Sequence, residues 1–294
     1  MATQRELDRV LVGTLLKLEF EVNQQLDIVS KDLDKALASA SKGNKLTQVK
    51  RFETQAEAIL NSYFDAYSGL VAGYSGAVAS YKGAVALREL RPIFAKYGYT
   101  NTLQRMEKKQ AGYSVYYEAL MKKRRVPEFG GYTFTERMAT LRRGTTKVVR
   151  GIVQNEVKKG TSAKNIAKKV QLYVKPTGNK RVSPLDVIRQ RTGRAPRGIP
   201  SGSIQSNAIR IARTETAYTY RQATVDYYKD EEFIAGYKWV LSNSHSRTDI
   251  CNDWASVDLY AKDGSDLPAG HPNCVCDTQS VLKSQAELKR LGLD

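Results

Sequence analysis

The sequence predicts a mainly α protein, in which a long N-terminal helical hairpin or bundle precedes a basic helical segment and a small α+β C-terminal module. Three observations predict this fold class. Apolar residues recur at helical spacing near the N-terminus, positive charge is concentrated in the middle of the chain, and all three cysteines and both histidines lie within residues 239–276. We therefore divide the chain into residues 1–126, 127–206 and 207–294.

The first segment is predicted to form two antiparallel helices. Apolar residues follow one another at steps of three and four from Leu7 to Leu37, which places them on one stripe of a long helix. This helix should stop near Gly43, a plausible C-terminal cap. A second helix starts at about Leu46, and its apolar face extends to Leu70. Two helices with matching stripes should pack as a hairpin.

A seven-residue unit that begins with tyrosine occurs three times in the second helix, between residues 67 and 87. A seven-residue period keeps each residue type on one side of a helix, so the glycines of the unit form a strip where another backbone can come close. We interpret the strip as packing within a bundle or against a second copy of the chain. Membrane contact is the alternative, but the 16 uncharged residues between Asp65 and Lys82 are fewer than a membrane span requires. The glycines are Gly69, Gly76 and Gly83.

Turn and capping signals organise the next part of the chain. Thr133 and Glu136 have the spacing of a capping box, which predicts that a helix starts there. That helix should end at Gly160, after which Thr161 or Ser162 caps a short helix.

Positive charge is concentrated between Lys122 and Arg213. This stretch holds 23 Lys and Arg against four acidic residues, whereas the formal net charge of the whole chain is +17. Such an excess predicts a polyanionic partner, for which double-stranded DNA is the first choice and an acidic protein surface the alternative. The cations that we assign to DNA are Lys122, Lys123, Arg124, Arg125, Lys164, Lys168, Lys169, Lys180, Arg181, Arg189, Arg191, Arg194 and Arg197.

The last segment begins with a predicted helix over residues 207–229, capped by Ser206. It carries Arg213 and Glu215, which lie two residues apart and therefore point in different directions on a helix. Each should have a separate partner, for which we consider the cysteine loop. Strands are predicted over residues 237–241 and 278–282, and a short helix or tail over residues 286–293.

The sulfur and imidazole donors of the chain are confined to this segment. Four of them could hold one tetrahedral zinc ion, and buried structural thiols are the alternative. A disulfide would require an oxidising compartment. The N-terminus has no apolar core of a secretory signal, so we expect synthesis in a reducing cytoplasm. The four candidate ligands are Cys251, His271, Cys274 and Cys276.

Several short motifs occur in a fixed order along the chain. Arg213-Thr-Glu215 is followed by Trp239, by Arg247-Thr-Asp-Ile-Cys251 and by His271-Pro-Asn-Cys-Val-Cys276. This ordered set resembles the C-terminal domain of the minor head protein family typified by protein F of bacteriophage Mu, which closes with His-Pro-x-Cys-x-Cys. The resemblance covers residues 145–282. The chain has Trp254 where many members have a second cysteine.

The resemblance implies a structural virion protein of the phage head, made in the host cytoplasm. Its partners would be the portal protein, other capsid proteins and packaged DNA, and a homo-oligomer could form through the N-terminal helices. We identify no catalytic constellation, so we expect no enzymatic activity. The alternatives are a metal-dependent nuclease that uses His245, Asp249 or Asp253, and an internal protein that is ejected with the genome and acts at the host envelope.

Overall fold

The computed structural model describes residues 4–40, 45–97, 100–124, 131–175, 203–243, 245 and 248–292. These residues are mainly helical, with two strands in one antiparallel sheet, which confirms the predicted fold class. No helix in the described ranges is long and apolar enough to cross a membrane. The elements are α1 (Gln4–Ala40), α2 (Lys45–Tyr97), α3 (Thr100–Ala111), α4 (Tyr113–Lys123), α5 (Phe134–Lys158), α6 (Ala163–Val174), α7 (Ile204–Tyr228), β1 (Ile234–Val240), α8 (Ile250–Ala255), β2 (Asp277–Leu282) and α9 (Gln285–Arg290).

The helices α1 and α2 form the predicted antiparallel hairpin. Ser39, near the end of α1, donates a hydrogen bond to Gln55 near the start of α2 at 3.0 Å. Farther along, Tyr74 of α2 donates to Glu21 of α1 at 2.6 Å. The apolar stripe of α1 is buried along its length, and Leu18 is fully inaccessible to solvent. The predicted end of the first helix at Gly43 lies outside the described residues.

Helices of the same chain pack against most of the glycine strip of α2. A Cβ atom added at Gly76 would lie 2.7 Å from the backbone oxygen of Ser114 in α4, and one added at Gly83 would overlap the side chain of Gln110 in α3. A Cβ atom added at the first glycine, Gly69, would have no neighbouring atom within 4 Å. The close backbone approach is therefore present at two of the three positions, and the partner there is the chain itself.

The start of α5 confirms the predicted capping box. Glu136 donates its backbone N–H to the Thr133 hydroxyl at 3.1 Å, and its carboxylate accepts the Thr133 N–H at 2.7 Å. After the helix ends, Gly160 has a φ of +73°, a conformation that favours glycine. Of the two candidate caps, Ser162 occupies the N-cap position of α6, where its carbonyl accepts the first helical hydrogen bond.

The helix α7 begins one turn earlier than predicted. Its N-cap is Ser203, whose hydroxyl accepts the backbone N–H of Ser206 at 3.1 Å, so the prediction that Ser206 caps the helix is wrong. Both serines are good caps by residue type. Burial determines where the helix begins, since Ile204 and Gln205 in its first turn are both completely enclosed.

The helix α7 lies at the centre of the molecule and packs against α1, α2 and α4. Tyr67 of α2 donates to the carbonyl of Ala208 at 2.6 Å, and Tyr117 of α4 donates to Asp226 at 2.7 Å. One apolar cluster combines residues of α1, α2, α5, α6 and α7. Elements of all three predicted segments thus share a core, and the boundaries at 126 and 206 stay predictions from sequence.

The C-terminal module contains the antiparallel pair β1 and β2, in which Trp239 lies opposite Thr278. Both strands lie close to the predicted ranges. A buried ion pair attaches the module to the long helix α2: the Lys82 ammonium lies 2.6 Å from the Asp277 carboxylate. Lys82 also lies over the ring of Tyr220 in α7, 4.3 Å from its centre.

Candidate metal centre and signature residues

Three buried thiols come together in the C-terminal module. Cys251 lies in α8, and Cys274 and Cys276 lie in the segment that leads into β2. The three sulfur atoms are all within 4.8 Å of one another, and the Cys251 and Cys274 sulfurs are 3.5 Å apart. Ligands around a tetrahedral zinc ion have similar separations, because each sulfur lies about 2.3 Å from the metal.

Local hydrogen bonds place these thiols opposite one another. Asp249 caps α8, and its carboxylate accepts the backbone N–H of Cys251 at 2.8 Å. On the other side, Asn273 adopts a φ of +64°, and the Cys274 N–H bonds to the His271 carbonyl at 3.0 Å. A capped turn of helix and a tight turn therefore present one sulfur each to the same space.

His271 lies beside the thiols, as the sequence predicted. Its ligand atom lies within 4.8 Å of those of Asp249 and Cys251. The Nδ1 atom is 3.0 Å from the carbonyl of Pro272, which can only accept, so the proton of a neutral ring belongs on Nδ1, and Nε2 faces the Asp249 carboxylate at 3.4 Å. A hydrogen bond with Cys274 raises the pKa of His271, and burial opposes this effect. The four predicted ligands therefore form a cluster that could bind a metal ion.

His245 is a second imidazole at this site, and the predicted ligand set does not include it. Its Nδ1 lies 3.7 Å from the Cys276 sulfur, and its Nε2 lies 3.0 Å from the amide oxygen of Asn252. That oxygen also accepts the N–H of Asp249 at 3.0 Å, which fixes the orientation of the amide. The proton of a neutral His245 therefore lies on Nε2, and Nδ1 presents a lone pair towards Cys276.

Arg221 of α7 is a buried cation next to the thiols, and its role could not be predicted from residue type or spacing. It is 2 % exposed, and it donates to the carbonyls of Cys276 at 3.0 Å and Ala269 at 2.6 Å. No carboxylate pairs with it among the described residues. Hydrogen bonds from Cys251 and Cys276, together with the charge of Arg221, hold the pKa of Cys274 below its usual range. The positive charge of Arg221 therefore favours the thiolate form of Cys274.

Arg213 and Glu215 have separate partners, as predicted, but these partners do not lie in the cysteine loop. Arg213 forms a buried ion pair with Glu19 of α1, and Glu215 lies 2.5 Å from Arg137 of α5. Each charge is nearly or fully removed from water, so each needs an opposite charge in the nearest helix. The residue between them, Thr214, contacts the cysteine loop, because its hydroxyl accepts the N–H of Asn273 at 3.1 Å.

Trp239 of β1 lies on the inner side of the module. Its ring packs edge-on against Trp254 at 5.1 Å, and the guanidinium of Arg221 lies 5.3 Å from its centre. Trp254 extends this stack to His271, at 6.3 Å between ring centres. Trp254 therefore packs between Trp239 and His271 at the edge of the thiol cluster.

The predicted DNA-binding cations have different surroundings. Lys123 and Lys168 are exposed, whereas Arg124 lies 3.7 Å from Asp226 and Lys169 lies 2.8 Å from Glu156. The other predicted cations lie outside the described part of the chain, either as side chains or as whole residues. They are Lys122, Lys164, Arg125, Lys180, Arg181, Arg189, Arg191, Arg194 and Arg197.

The chemistry of the centre is that of soft ligands. The nuclease alternative would use His245, Asp249 or Asp253. Asp249 caps α8 and forms a group of potential ligands with Cys251 and His271, whereas His245 and the exposed Asp253 belong to neither group in the described residues. Comparison with family models, with curated proteins and with solved structures gives no match to this chain. Three thiols and nearby imidazoles are the donor set that zinc prefers.

Proposed function

We propose that the chain is a structural minor head protein of a tailed bacteriophage, which acts at the portal, contacts packaged DNA and aids head assembly and genome packaging or ejection. The observation that carries the proposal is the convergence of the ordered signature. Thr214, within the Arg-Thr-Glu motif, contacts Asn273 of the His-Pro-Asn-Cys-Val-Cys motif 59 residues later. Trp239 packs against the same centre. Motifs that are separate in sequence thus belong to one module.

The rest of the molecule suits an assembly role. A hairpin of 37-residue and 53-residue helices forms a long scaffold of roughly 55 and 80 Å, at about 1.5 Å per residue. Exposed Phe20 and Ile28 lie on the outer side of α1, where they are available to other capsid proteins. The excess of positive charge in the middle of the chain would face a polyanion such as packaged DNA.

We further propose that the cysteine cluster binds one structural zinc ion. Zinc with three thiolates and one neutral imidazole has a net charge of −1, and the buried Arg221, which pairs with no carboxylate among the described residues, supplies the opposite charge. The site would join α8 to the segment before β2. Three thiolates and one imidazole would fill all four coordination positions, so no position would remain for water. The ion would therefore stabilise the fold rather than activate water.

Metal analysis tests the zinc proposal directly. Protein purified without chelator should contain about one equivalent of zinc, and a chelator should lower the melting temperature, since metal binding contributes to folding energy in such sites. Protein that lacks metal and is equally stable with and without chelator would leave Cys251, Cys274 and Cys276 as buried thiols.

The virion role is tested with particles of the source phage. We expect mass spectrometry of purified heads to detect the chain, and we expect particles from a deletion strain to package, retain or eject DNA poorly. A matched strain carrying the gene in trans should restore the particles. A chain that is absent from heads, and whose deletion leaves infectivity unchanged, would contradict the proposal.

A further inference from the structure

The outward face of α5 carries a row of cations that the predicted DNA-binding set does not include. Arg143, Lys147 and Lys158 are exposed. They are spaced by four and eleven residues, so the rotation of about 100° per residue brings all three to within about 60° of one direction. The opposite face of α5 is buried in the core through Val149 and Val153. The row therefore points away from the molecule.

The cations of the row differ from their neighbours because no carboxylate pairs with them. Towards α2, Arg142 lies 3.8 Å from Asp65 and Arg150 lies 3.7 Å from Glu53. Lys159, beyond the end of α5, lies 3.3 Å from Glu156. Within the described residues, Arg143, Lys147 and Lys158 have no carboxylate within 4.0 Å, and the one side-chain hydrogen bond of the row is that of Arg143 to Thr140.

The shape of this face suits a phosphate backbone. Gly144, next to the row, is exposed and has no atom near the place of a Cβ, so the surface is open there. The single aromatic residue of α5, Phe134, is fully buried, so the helix offers no ring on which an unpaired base could stack. From Arg143 to Lys158 the row measures about 22 Å, the length of about six base pairs of duplex.

We propose that the outward face of α5, defined by Arg143, Lys147 and Lys158, binds the phosphate backbone of double-stranded DNA without reading its sequence. The inference deepens the proposed function, because it names the surface that meets packaged DNA. Three cations that have no carboxylate partner among the described residues can exchange small counterions for phosphates, and release of those counterions favours binding. The flanking cations that already pair with carboxylates contribute less.

The test compares two triple variants of the full chain. The first is Arg143→Gln, Lys147→Gln, Lys158→Gln. The matched control is Lys31→Gln, Lys238→Gln, Arg290→Gln, which removes the same charge from exposed positions on α1, β1 and α9. Binding to a 30-base-pair duplex of mixed sequence is measured over a range of salt concentrations. A poly-glutamate peptide serves as the second probe, and circular dichroism checks the fold of each variant.

We expect the α5 variant to bind the duplex at least roughly tenfold more weakly at 0.1 M salt, with a salt slope smaller by about 2 to 3, since each phosphate contact contributes about 0.9 to the slope. The control should change both quantities much less. Equal losses in the two variants would overturn the proposal, because net charge alone would then explain binding. Binding of poly-glutamate that depends on the row, with unchanged DNA binding, would assign the face to an acidic protein.

A second measurement needs no variant. Bound duplex should protect Lys147 and Lys158 of the native chain from acetylation, as read by mass spectrometry, while Lys31 and Lys238 stay reactive. Uniform protection, or none, would also overturn the proposal. These results are independent of the virion test, since a chain that is absent from phage heads could still bind DNA through α5.

Discussion

At the residue scale, two histidines lie next to a centre that has room for one of them. Three thiolates leave one position around a tetrahedral zinc ion. The ligand atom of His271 lies within 4.8 Å of those of Cys251 and Asp249. The Nδ1 atom of His245 approaches Cys276 at 3.7 Å. Because the ligand atom of His271 belongs to a group of potential ligands with Cys251, whereas His245 belongs to neither group among the described residues, we expect His271 to be the fourth ligand.

The first prediction separates the two histidines. His271→Ala should lower zinc affinity strongly, by more than the roughly 10- to 100-fold that is typical for loss of an outer partner. His245→Ala should keep one equivalent of zinc with a smaller loss. Zinc content and competition with a chromogenic chelator give both quantities. The reverse order of the two variants would make His245 the ligand and His271 its neighbour.

Glu215 is a buried carboxylate whose charge depends on pH. Burial raises its pKa to about 7, and the neighbouring Arg137 opposes part of that shift. A pKa above its usual value of 4.5 means that the folded state holds the proton more tightly than the unfolded state. The contribution of Glu215 to stability is therefore complete below about pH 4.5 and is lost as the pH rises through about 7.

The second prediction follows from the upward shift of the Glu215 pKa, which makes the folded state less stable as the pH rises. Between about pH 5 and 8, Glu215→Gln should remove up to about 3 kcal/mol of the pH-dependent change in unfolding free energy, at about 1.4 kcal/mol per pKa unit. Urea unfolding at both pH values measures it. Glu57→Gln, which alters an exposed carboxylate 3.9 Å from Arg150, is the control. An identical pH dependence in the native chain and in Glu215→Gln would show that Glu215 does not titrate in this window.

The sequence identified the ligands better than it identified their surroundings. Cys251, Cys274 and Cys276 stand out because the chain has three cysteines in total. Arg221 does not stand out, since it is one of 47 Lys and Arg residues. Its role depends on burial against Trp239 and the thiols, and burial of a single helical position follows from tertiary packing rather than from residue type.

At the scale of elements, the glycine strip of α2 offers a matched pair of positions. Gly69 and Gly76 occupy the same place in successive repeats, but Gly76 faces α4 closely and Gly69 faces open space. The third prediction is that Gly76→Ala lowers the unfolding free energy by about 1 to 3 kcal/mol, the usual cost of overpacking. Gly69→Ala should instead raise it by up to about 1 kcal/mol, since alanine favours a helix.

Thermal and urea unfolding of both variants measure these changes. Destabilisation by Gly69→Ala comparable with that by Gly76→Ala would mean that a second copy of the chain covers Gly69. The repeat itself was sufficient to predict a close approach of backbones. It could not identify the partner, because a helix of the same chain and a helix of another copy satisfy a seven-residue period equally well.

At the scale of the whole molecule, α7 joins parts that the sequence divides into segments. Its buried residues are covered by α1, α2 and α4, and its charges Arg213 and Glu215 pair with Glu19 and Arg137. The order and type of the elements could be predicted, because periodicity and capping are local properties. The shared core could not, because it depends on which helices meet in space.

The fourth prediction concerns a fragment of residues 203–294. Removed from the other helices, it would expose the apolar side of α7 and leave Arg213 and Glu215 without their partners, so we expect it to aggregate or to stay unfolded. Circular dichroism and size-exclusion chromatography, with and without added zinc, measure this against the whole chain. A monomeric fragment with a sharp thermal transition would show that the C-terminal module folds on its own.

The ion pair between Lys82 and Asp277 also sets an order of events during synthesis. The ribosome makes Lys82 195 residues before Asp277, an interval of about 10 to 40 s at about 5 to 20 residues per second. Until Asp277 emerges, Lys82 lacks the carboxylate that pairs with it in the folded chain. Because burial of an unpaired ammonium is costly, we expect the second half of α2 not to close against α7 and β2 before then. This side of α2 should therefore stay open until β2 has been made.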